Sequence, residues 1–471
     1  MIFNINRFYF FALLTWQFAL FFSSQMIYPI FSNYLPKWRC SRNETFTSDC
    51  HIYLSCNQTV SFYSTALEYE WICGPKAYLA SLYSQIQFFG VLIGTFLFGT
   101  LSDAFGRRPI AILALTTGIV VSFSSAFAPN WQLLLLSRSI VGLSIGGTIV
   151  GVCTYIMEML LPEQRMALRA FFNWGVARLL LTTICYLLPD WRSSSIGNAI
   201  AASPALIIIL IILPESPTWL HSKGRLEDMR KSEKYIARFA NVAYEEKEIQ
   251  KIEKKAKLIE IIRSPQYAKR LFVLWMMWFT SSYCGYAIDL NSTRISGNLF
   301  INQALFSILI AASKIMLVIY DSLNVSFNRR KLHQYAQACV CICFLILSIL
   351  IIKYNNIMIL IINLIGIVFI EYTWDACYLC AVEAMPTNMR ASSLGSCSLI
   401  ARIGALLSPM AFYFVTIWPP SVYLTVVIIG MINLIISYLF LIETKGVILD
   451  KVDVGEIDEQ EKIPMMRKND S

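Results

Sequence analysis

The sequence has 471 residues, of which 56% are apolar and only 15% are charged, and its formal net charge is +9. A mean hydropathy of +0.57 excludes an ordinary soluble domain. The basic residues are dispersed among apolar stretches rather than gathered on one domain, so the positive charge does not indicate nucleic-acid binding. The composition predicts a protein embedded in the lipid bilayer.

Apolar stretches of about 18 to 25 residues, the length that crosses a hydrocarbon core, recur along the chain. The first of them is too long for a secretory signal and lacks a small-residue cleavage site, so we interpret it as a membrane span. We predict spans over residues 9–30, 79–101, 109–128, 133–157, 168–189, 195–213, 271–290, 299–320, 335–353, 355–380, 391–416 and 421–442.

Residues 31–78 form a long polar loop after the first span. The loop holds two glycosylation sequons, at Asn43 and Asn57, and four cysteines, which are Cys40, Cys50, Cys56 and Cys73. This combination is typical of an oxidising compartment outside the cytoplasm. We predict glycosylation of Asn43 or Asn57 and two disulfides, whose pairing the spacing leaves open. Four free cysteines are the alternative.

Basic residues concentrate in the connections that fall on one side of the membrane in a twelve-span chain. By the positive-inside rule that side is cytoplasmic, and both chain termini lie there. The residues concerned are Arg107, Arg108, Arg165, Arg169, Arg329 to Lys331 and the Lys/Arg-rich segment 221–270.

The segment 221–270 has apolar residues at helical spacing with charges of both signs between them, so it predicts an amphipathic helix on the cytoplasmic surface. We favour a solvated linker over a regulatory or partner-binding helix. The chain then divides into a first half over 1–220, the linker 221–270, a second half over 271–446 and a polar cytoplasmic tail over 447–471.

A short charged loop, GTLSDAFGRRP, separates the second and third spans at Gly99–Pro109. A similar layout returns after the eighth span, where Asp321 is followed by Asn328 and two arginines. A charged loop that recurs at matching places in two hydrophobic halves is typical of a duplicated membrane transporter.

From Trp38 to Gly446 the chain resembles the major facilitator superfamily and, within it, the organic cation, anion and carnitine transporters of solute carrier family 22. The likeness is carried by the cysteine-bearing loop and its Glu70-Trp71 pair, by GTLSDAFGRRP, by Arg138, Gly142, Gly146, Gly147 and Tyr155, by PESPTWL (Pro214–Leu220), by YLCAVEAMPTNMRASSLG (Tyr378–Gly395), by ARIGALLSP (Ala401–Pro409) and by ETKG (Glu443–Gly446). The resemblance implies an all-α membrane protein whose twelve transmembrane helices form two pseudo-symmetric six-helix bundles around a central cavity.

In that family the charged loops hold the two halves together on the cytoplasmic side. The residues that match this role are Asp103, Arg107, Glu158, Arg165, Glu383 and Arg390. On electrostatic grounds Asp103 can face a helix N-terminus, and Arg107 can pair with a carboxylate such as Glu158. Two departures, Ala104 in place of a basic residue and Asn328 in place of a glycine, predict a weaker contact.

Ionisable residues inside the spans are costly, so they normally face a cavity or a partner. Lys314 and Arg402 match basic residues of the family's organic anion branch and predict an anionic substrate. Glu371 and Asp375 lie four residues apart on one helix face. There they can neutralise Lys314 or Arg402 as buried structural pairs, or hold the cationic group of a zwitterion. Arg178, which has no family counterpart, is a candidate partner for one of them.

Several aromatic residues of the seventh and tenth spans offer flat apolar surface to a ligand. Trp275, Trp278, Tyr286 and Trp374 are equally suited to packing or to the membrane interface. Tyr283 and Tyr372 are the two that we predict to contact the substrate.

The function predicted is alternating-access transport of small organic ions, preferably anions, at the plasma membrane. Zwitterion transport, cation transport and a transporter-like receptor that moves nothing are the alternatives. The sequence has no catalytic triad, nucleotide-binding loop or metal-ligand spacing, so we predict neither an enzyme nor a cofactor, and the energy comes from gradients. The oligomeric state is left open.

Overall fold

The computed structural model describes residues 6–39, 57–160, 171–244, 258–295, 297–324, 328–353 and 357–442. These residues are almost entirely helical, and eleven of their helices are long and apolar enough to cross a membrane. In chain order the spans are span 1 (Arg7–Ser32), span 2 (Tyr78–Phe105), span 3 (Arg107–Ser125), span 4 (Trp131–Met159), span 5 (Trp174–Leu187), span 6 (Trp191–Ile211), span 7 (Pro265–Asn291), span 8 (Leu299–Leu323), span 9 (Arg329–Lys353), span 10 (Ile357–Glu383), span 11 (Thr387–Ile417) and span 12 (Ser421–Phe440).

The other elements are short and lie in the connections. Helices run over Thr65–Glu68, Pro217–Ser222, Leu226–Ala240 and Leu258–Arg263, and the antiparallel strands Lys37–Arg39 and Asn57–Thr59 pair within the long loop. The helix Leu226–Ala240 lies within the segment 221–270, for which the sequence predicts an amphipathic helix. The polar tail after residue 446 lies outside the described residues.

Polar cap residues fix where several spans begin. The side chains of Asn130 and Asp190 accept hydrogen bonds from the backbone N–H groups three residues further on, which satisfies donors that the first helical turn leaves free. Asn173 does the same for span 5 and sets its start at Trp174. Span 5 is therefore a shorter apolar helix, and it is the one span that falls below membrane length within the described residues.

Span 4 contains one irregular turn. Its α-helix runs over Trp131–Gly147, continues as a π-helical turn over Thr148–Val152 and returns to α-helix over Cys153–Met159. A π turn adds one residue to the helix and is frequent at functional sites.

The apolar core falls into several clusters, which follow the two halves for the most part. One large cluster is built mainly from spans 1 to 6, and two smaller clusters are built from spans 7 to 12. Within the first half, spans 2 and 4 approach backbone to backbone at small residues: a Cβ added at Gly142 would lie 2.1 Å from the carbonyl oxygen of Gln87. Such close approach of small residues is a usual means of packing helices in a membrane.

Helix direction defines two ends of the bundle. The long-loop end carries residues 33–39, residues 57–77 and the starts of spans 2, 4 and 8. The charged end carries Arg107, Asp321 and the helix Leu226–Ala240. Spans 2 and 11 and spans 5 and 8 pack against each other across the two halves. Within the described residues, the hydrogen bonds, ion pairs and ring contacts between the halves lie in the centre and at the long-loop end.

Candidate functional site

Arg402 lies at the middle of span 11, at the contact between the two halves. Its side chain is buried, and its Nη1 lies 3.9 Å from the sulfur of Met26 in span 1. The hydroxyl of Tyr286 in span 7 lies beside the guanidinium and 3.5 Å from the same sulfur. Within the described part of the chain no carboxylate pairs with Arg402, and its Nε has no hydrogen-bond partner.

Lys314, the second basic residue predicted to attract an anion, is held by the two acidic residues of span 10. Its Nζ lies 2.8 Å from Glu371 Oε2 and 2.9 Å from Asp375 Oδ2, and it donates a hydrogen bond to the Glu371 carbonyl oxygen at 3.3 Å. Glu371 and Asp375 do share one helix face, as predicted. The ammonium is therefore engaged by the protein's own carboxylates.

Arg178 does not pair with Glu371 or Asp375, so that expectation is wrong. Its Nη1 lies 2.5 Å from Asp289 Oδ1 of span 7, and its Nη2 donates to Gln303 Oε1 of span 8 at 2.6 Å. Span 5 faces these two spans near the long-loop end, and Arg178 is engaged there by Asp289 and Gln303. Asp289 lies inside the predicted seventh span, and an acidic residue at that depth is the signal that points to it.

The two tyrosines predicted to contact substrate lie in different surroundings. Tyr283 is buried in the core of the second half, where it stacks on Phe279 at 6.3 Å and lies beside Thr425 of span 12. Tyr372 is half-buried next to Lys314 and Asp375. The structure therefore brings Tyr372, but not Tyr283, to a charged group of the site.

Tyr286 is the tyrosine that reaches the interface instead. Its ring lies 5.0 Å from that of Phe88 in span 2, and its hydroxyl lies beside Arg402. Trp278 and Trp374 meet edge to face at 5.7 Å, and both contact the ring of Tyr378, which is 40% exposed. These rings supply an aromatic wall that only partly matches the predicted one.

The charged residues after span 2 form a cluster within the first half. Arg107 lies 2.7 Å from Asp103 and 3.1 Å from Glu158, so the predicted contact with Glu158 is present. Asp103 does not face a helix N-terminus: its side chain is 71% exposed, and Arg107 is its ion-pair partner. The N-terminus of span 3 is bound by Glu215, whose Oε1 accepts from the backbone N–H groups of Arg107 and Arg108 at 3.0 Å.

Glu215 was not predicted to have this role, although it lies in the PESPTWL motif. A carboxylate at a helix N-terminus is favourable because it accepts hydrogen bonds from free N–H groups and faces the positive end of the helix dipole. The hydroxyl of Ser216, the next residue, donates to Glu158 Oε2 at 2.5 Å. The motif thus joins the charged cluster through two successive side chains.

An equivalent cluster lies in the second half. Arg329 makes two hydrogen bonds to Asp321, at 2.8 and 3.1 Å, and lies 3.5 Å from Glu383. Arg390, in the first turn of span 11, contributes to neither pair, and its Nε and Nη2 have no hydrogen-bond partner among the residues that the structure describes. Arg165 lies outside the described residues.

Little of the predicted modification chemistry falls on described residues. Cys73 is disulfide-bonded, whereas Cys40, Cys50, Cys56 and Asn43 lie outside the described residues. Asn57 begins the strand Asn57–Thr59. The pairing and the glycosylation therefore stay predictions. Across the described ranges, no group of three or more His, Cys, Asp or Glu side chains is arranged to hold a metal ion.

Comparison with known proteins identifies the family. The family model described as "Sugar (and other) transporter" matches residues 45–455. The chain belongs to this transporter family, within the major facilitator superfamily. Its relatives are transporters rather than enzymes, and the prediction of a multi-pass membrane protein is confirmed.

Sequence relatives agree with the resemblance to solute carrier family 22. An uncharacterized protein of Caenorhabditis elegans is 38% identical over 97% of this chain and 96% of its own length. An organic cation transporter-like protein of Drosophila melanogaster is 24% identical, covering 85% of this chain and 73% of its own length. Solute carrier family 22 member 7 of Mus musculus is 26% identical over 76% of this chain and 68% of its own length.

Solved structures confirm the fold. The inward-open xylose transporter XylE from E. coli aligns with a TM-score of 0.64 at 15% identity, covering 93% of this chain and 96% of its own. XylE bound to 6-bromo-6-deoxy-D-glucose aligns with a TM-score of 0.65, also at 15% identity, over 94% of this chain and 98% of its own. The predicted two-bundle, twelve-helix architecture is therefore correct.

Proposed function

We propose that this chain moves a small organic ion with an anionic group across the membrane by alternating access, and that Arg402 holds that group. The observation that carries the proposal is the position of Arg402. It is buried between the two halves, and no carboxylate pairs with it within the described residues.

A buried positive charge at membrane depth is costly unless a negative group compensates it. The side chain of Arg402 is buried, so a carboxylate or sulfate beside it gains more electrostatic energy than it would in solvent. The guanidinium also offers a planar pair of donors that fits such a group. A ligand bound there contacts both halves, since Met26 and Tyr286 flank the arginine.

In this proposal Lys314 does not bind the anionic group, because Glu371 and Asp375 already engage its ammonium. Anion selectivity then depends on one arginine rather than on two basic residues. This makes the preference for anions a property of a single position.

A zwitterionic substrate is the second candidate. Lys314, Glu371 and Asp375 together carry one positive and two negative charges, and Tyr372 lies beside them. A quaternary ammonium group near these carboxylates and an aromatic ring would be attracted to both. The substrate would then place its anionic group at Arg402 and its cationic group toward span 10.

The membrane orientation that we propose puts the charged end in the cytoplasm and the long-loop end outside, at the plasma membrane. The basic residues near the charged end and the cysteines and sequons of the long loop support it. With the halves joined at the long-loop end, the conformation described corresponds to a transporter that is closed toward the outside.

The test is uptake into proteoliposomes of three labelled sets: organic anions, carnitine-like zwitterions and organic cations. We expect the unmodified protein to concentrate or equilibrate an anion or zwitterion. Arg402→Gln should reduce its kcat/KM by at least about tenfold, because loss of one partner of a desolvated charge pair costs about 2–5 kcal/mol. Arg402→Lys should retain part of the activity.

Arg238→Gln, on the exposed face of the linker helix, is the control for the loss of one positive charge. Unchanged anion uptake by Arg402→Gln would refute the assignment of Arg402. Binding without flux in the unmodified protein would instead identify a receptor. Zwitterion uptake that Glu371→Gln and Asp375→Asn reduce, with anion uptake unaffected, would establish the second candidate.

A further inference from the structure

The ion pair between Arg178 and Asp289 joins the two halves of the molecule near the long-loop end. The side chain of Arg178 is 1% exposed and that of Asp289 is 12% exposed, at an Nη1–Oδ1 distance of 2.5 Å. Arg178 belongs to span 5 in the first half, and Asp289 belongs to span 7 in the second. Among the described residues this is the one ion pair that crosses between the halves.

A hydrogen-bond chain extends the contact into span 8. Arg178 Nη2 donates to Gln303 Oε1 at 2.6 Å, and Gln303 Nε2 donates to Ser292 Oγ at 2.7 Å. Ser292 Oγ donates in turn to the carbonyl oxygen of Asp289 at 2.5 Å. One guanidinium from the first half is therefore bound by a closed polar network of the second half.

Apolar contacts surround this network on both sides. Toward the long-loop end, the ring of Phe300 stacks on Phe31 at 5.9 Å and meets Tyr186 edge to face at 5.4 Å. Toward the centre, Gly175 packs so closely on span 8 that an added Cβ would lie 2.4 Å from the Ala311 nitrogen. The seam between spans 5 and 8 is thus tightly closed around the ion pair.

We propose that Arg178 and Asp289 are the gating residues that hold the long-loop end closed, and that they separate each time this end opens. The proposal rests on alternating access, since a rocking motion of the halves must part spans 5 and 8. The gate is controlled by charge and lies at the end of the bundle opposite the two charged clusters.

The pair is suited to this role because its energy depends on the position of the two halves. When the halves are together, each buried charge has a partner of opposite sign at hydrogen-bonding distance. When they part, both charges lose that partner at once, and each must be solvated by entering water. Removal of one charge weakens the closed state, because the remaining charge is left buried without its partner.

The experiment measures opening directly with a cysteine reporter. Ser307 is fully buried in the seam beside Gly175, so Ser307→Cys is protected while the gate is closed. A membrane-impermeant maleimide is applied to intact cells in the absence of substrate. The parent without the reporter corrects for labelling of the natural cysteines.

Asp289→Asn and Arg178→Gln should each increase the labelling rate of the reporter on the order of tenfold. The double variant Arg178→Asp with Asp289→Arg should return the labelling rate toward that of Ser307→Cys alone, because it restores opposite charges. Arg178→Lys keeps the charge but has one nitrogen on a shorter side chain in place of the two that bond Asp289 and Gln303 separately, so its rate should be intermediate. This variant also provides a reading if the neutral variants do not reach the cell surface.

The matched control is the ion pair between Arg192 and Glu68, which lies at the same end but within the first half. Glu68→Gln should leave the reporter protected. Parent-like labelling in all Arg178 and Asp289 variants, or equal labelling in Glu68→Gln, would overturn the gate. Because labelling is read without substrate, this failure is distinct from a failure of Arg402 variants to change uptake.

Discussion

The two charged clusters at one end of the molecule have the same arrangement of ion pairs, but they differ in how the next helix begins. Each has an arginine between two carboxylates, and the members are Asp103, Arg107 and Glu158 in the first half and Asp321, Arg329 and Glu383 in the second. In the first half the start of span 3 is capped from a distant segment by Glu215. In the second half Asn328 caps its own helix, since its Oδ1 accepts from the Lys331 N–H at 2.9 Å.

Gly106 explains why the first half needs a distant cap. It adopts a φ of 121°, and a Cβ at this position would lie 2.6 Å from Glu215 Oε2. Glycine both permits the backbone conformation and leaves room for the carboxylate. Asn328 needs no such room, because its own side chain supplies the acceptor.

This difference in capping shows that the charged cluster of the first half is bound to a neighbouring segment of the chain, namely the PESPTWL motif and the linker helix. Glu215 also accepts a hydrogen bond at its carbonyl oxygen from Ser232 of the linker helix, at 2.7 Å, and Trp219 Nε1 donates to the Asp103 carbonyl at 3.1 Å. The first cluster is therefore connected to the linker, whereas the cap of the second cluster is local to its helix.

The largest effect should come from removing either central arginine. Arg107→Ala leaves the partly buried Glu158 without its cation, and Arg329→Ala does the same to Asp321 and Glu383. Each change should cost about 3 kcal/mol of stability. The measurement is the melting temperature of the purified protein in detergent. Arg225→Ala, in an exposed ion pair with Asp228, is the control and should leave the melting temperature close to that of the unmodified protein. Equal shifts for control and cluster variants would contradict the prediction.

A smaller effect should follow from Glu215→Ala. It removes the acceptor of two backbone N–H groups at the start of span 3, at a cost of about 1–2 kcal/mol. Because Glu215 lies next to the linker contact, the helix Leu226–Ala240 should also be cleaved faster in limited proteolysis. Glu215→Gln keeps one acceptor oxygen and should lie between the parent and Glu215→Ala. Unchanged proteolysis would show that the linker is fastened elsewhere.

The smallest effect should come from the self-capped helix. Asn328→Ala should lower the stability by about 1 kcal/mol, and Asn328→Gly by only a few tenths. Neither should change proteolysis of the linker, because the Asn328 side chain bonds only the first turn of span 9. A linker that becomes sensitive in these variants would mean that the two clusters are not independent.

Much of the architecture was predictable, because a membrane imposes a length on each helix and a charge bias on each connection. The start of span 5 was not predicted, since Asn173 interrupts an apolar pattern that hydropathy reads as continuous. The partners of Arg107 were predicted in part: Glu158 was named, but Glu215 was not, because a cap that arrives from a distant segment leaves no local pattern.

The charged site was harder to predict for the same reason. The spacing of Glu371 and Asp375 gave their common face, but not that both would reach Lys314 in span 8. Periodicity likewise did not separate Tyr283 from Tyr286, which lie about 60° apart around the same helix. Which of them faces the other half depends on packing against spans 2, 11 and 12, and sequence spacing does not contain that information.

The π turn of span 4 sets the angular position of Glu158 around the helix relative to Arg138. Thr148–Val152 inserts one extra residue between Arg138, which faces Tyr28 in the core, and Glu158, which meets Arg107. The insertion rotates the last two turns of the helix relative to the first part. A homologue without it would reach the same arginine only with its acidic residue one position earlier. The π turn therefore decides which face of span 4 presents its carboxylate to Arg107.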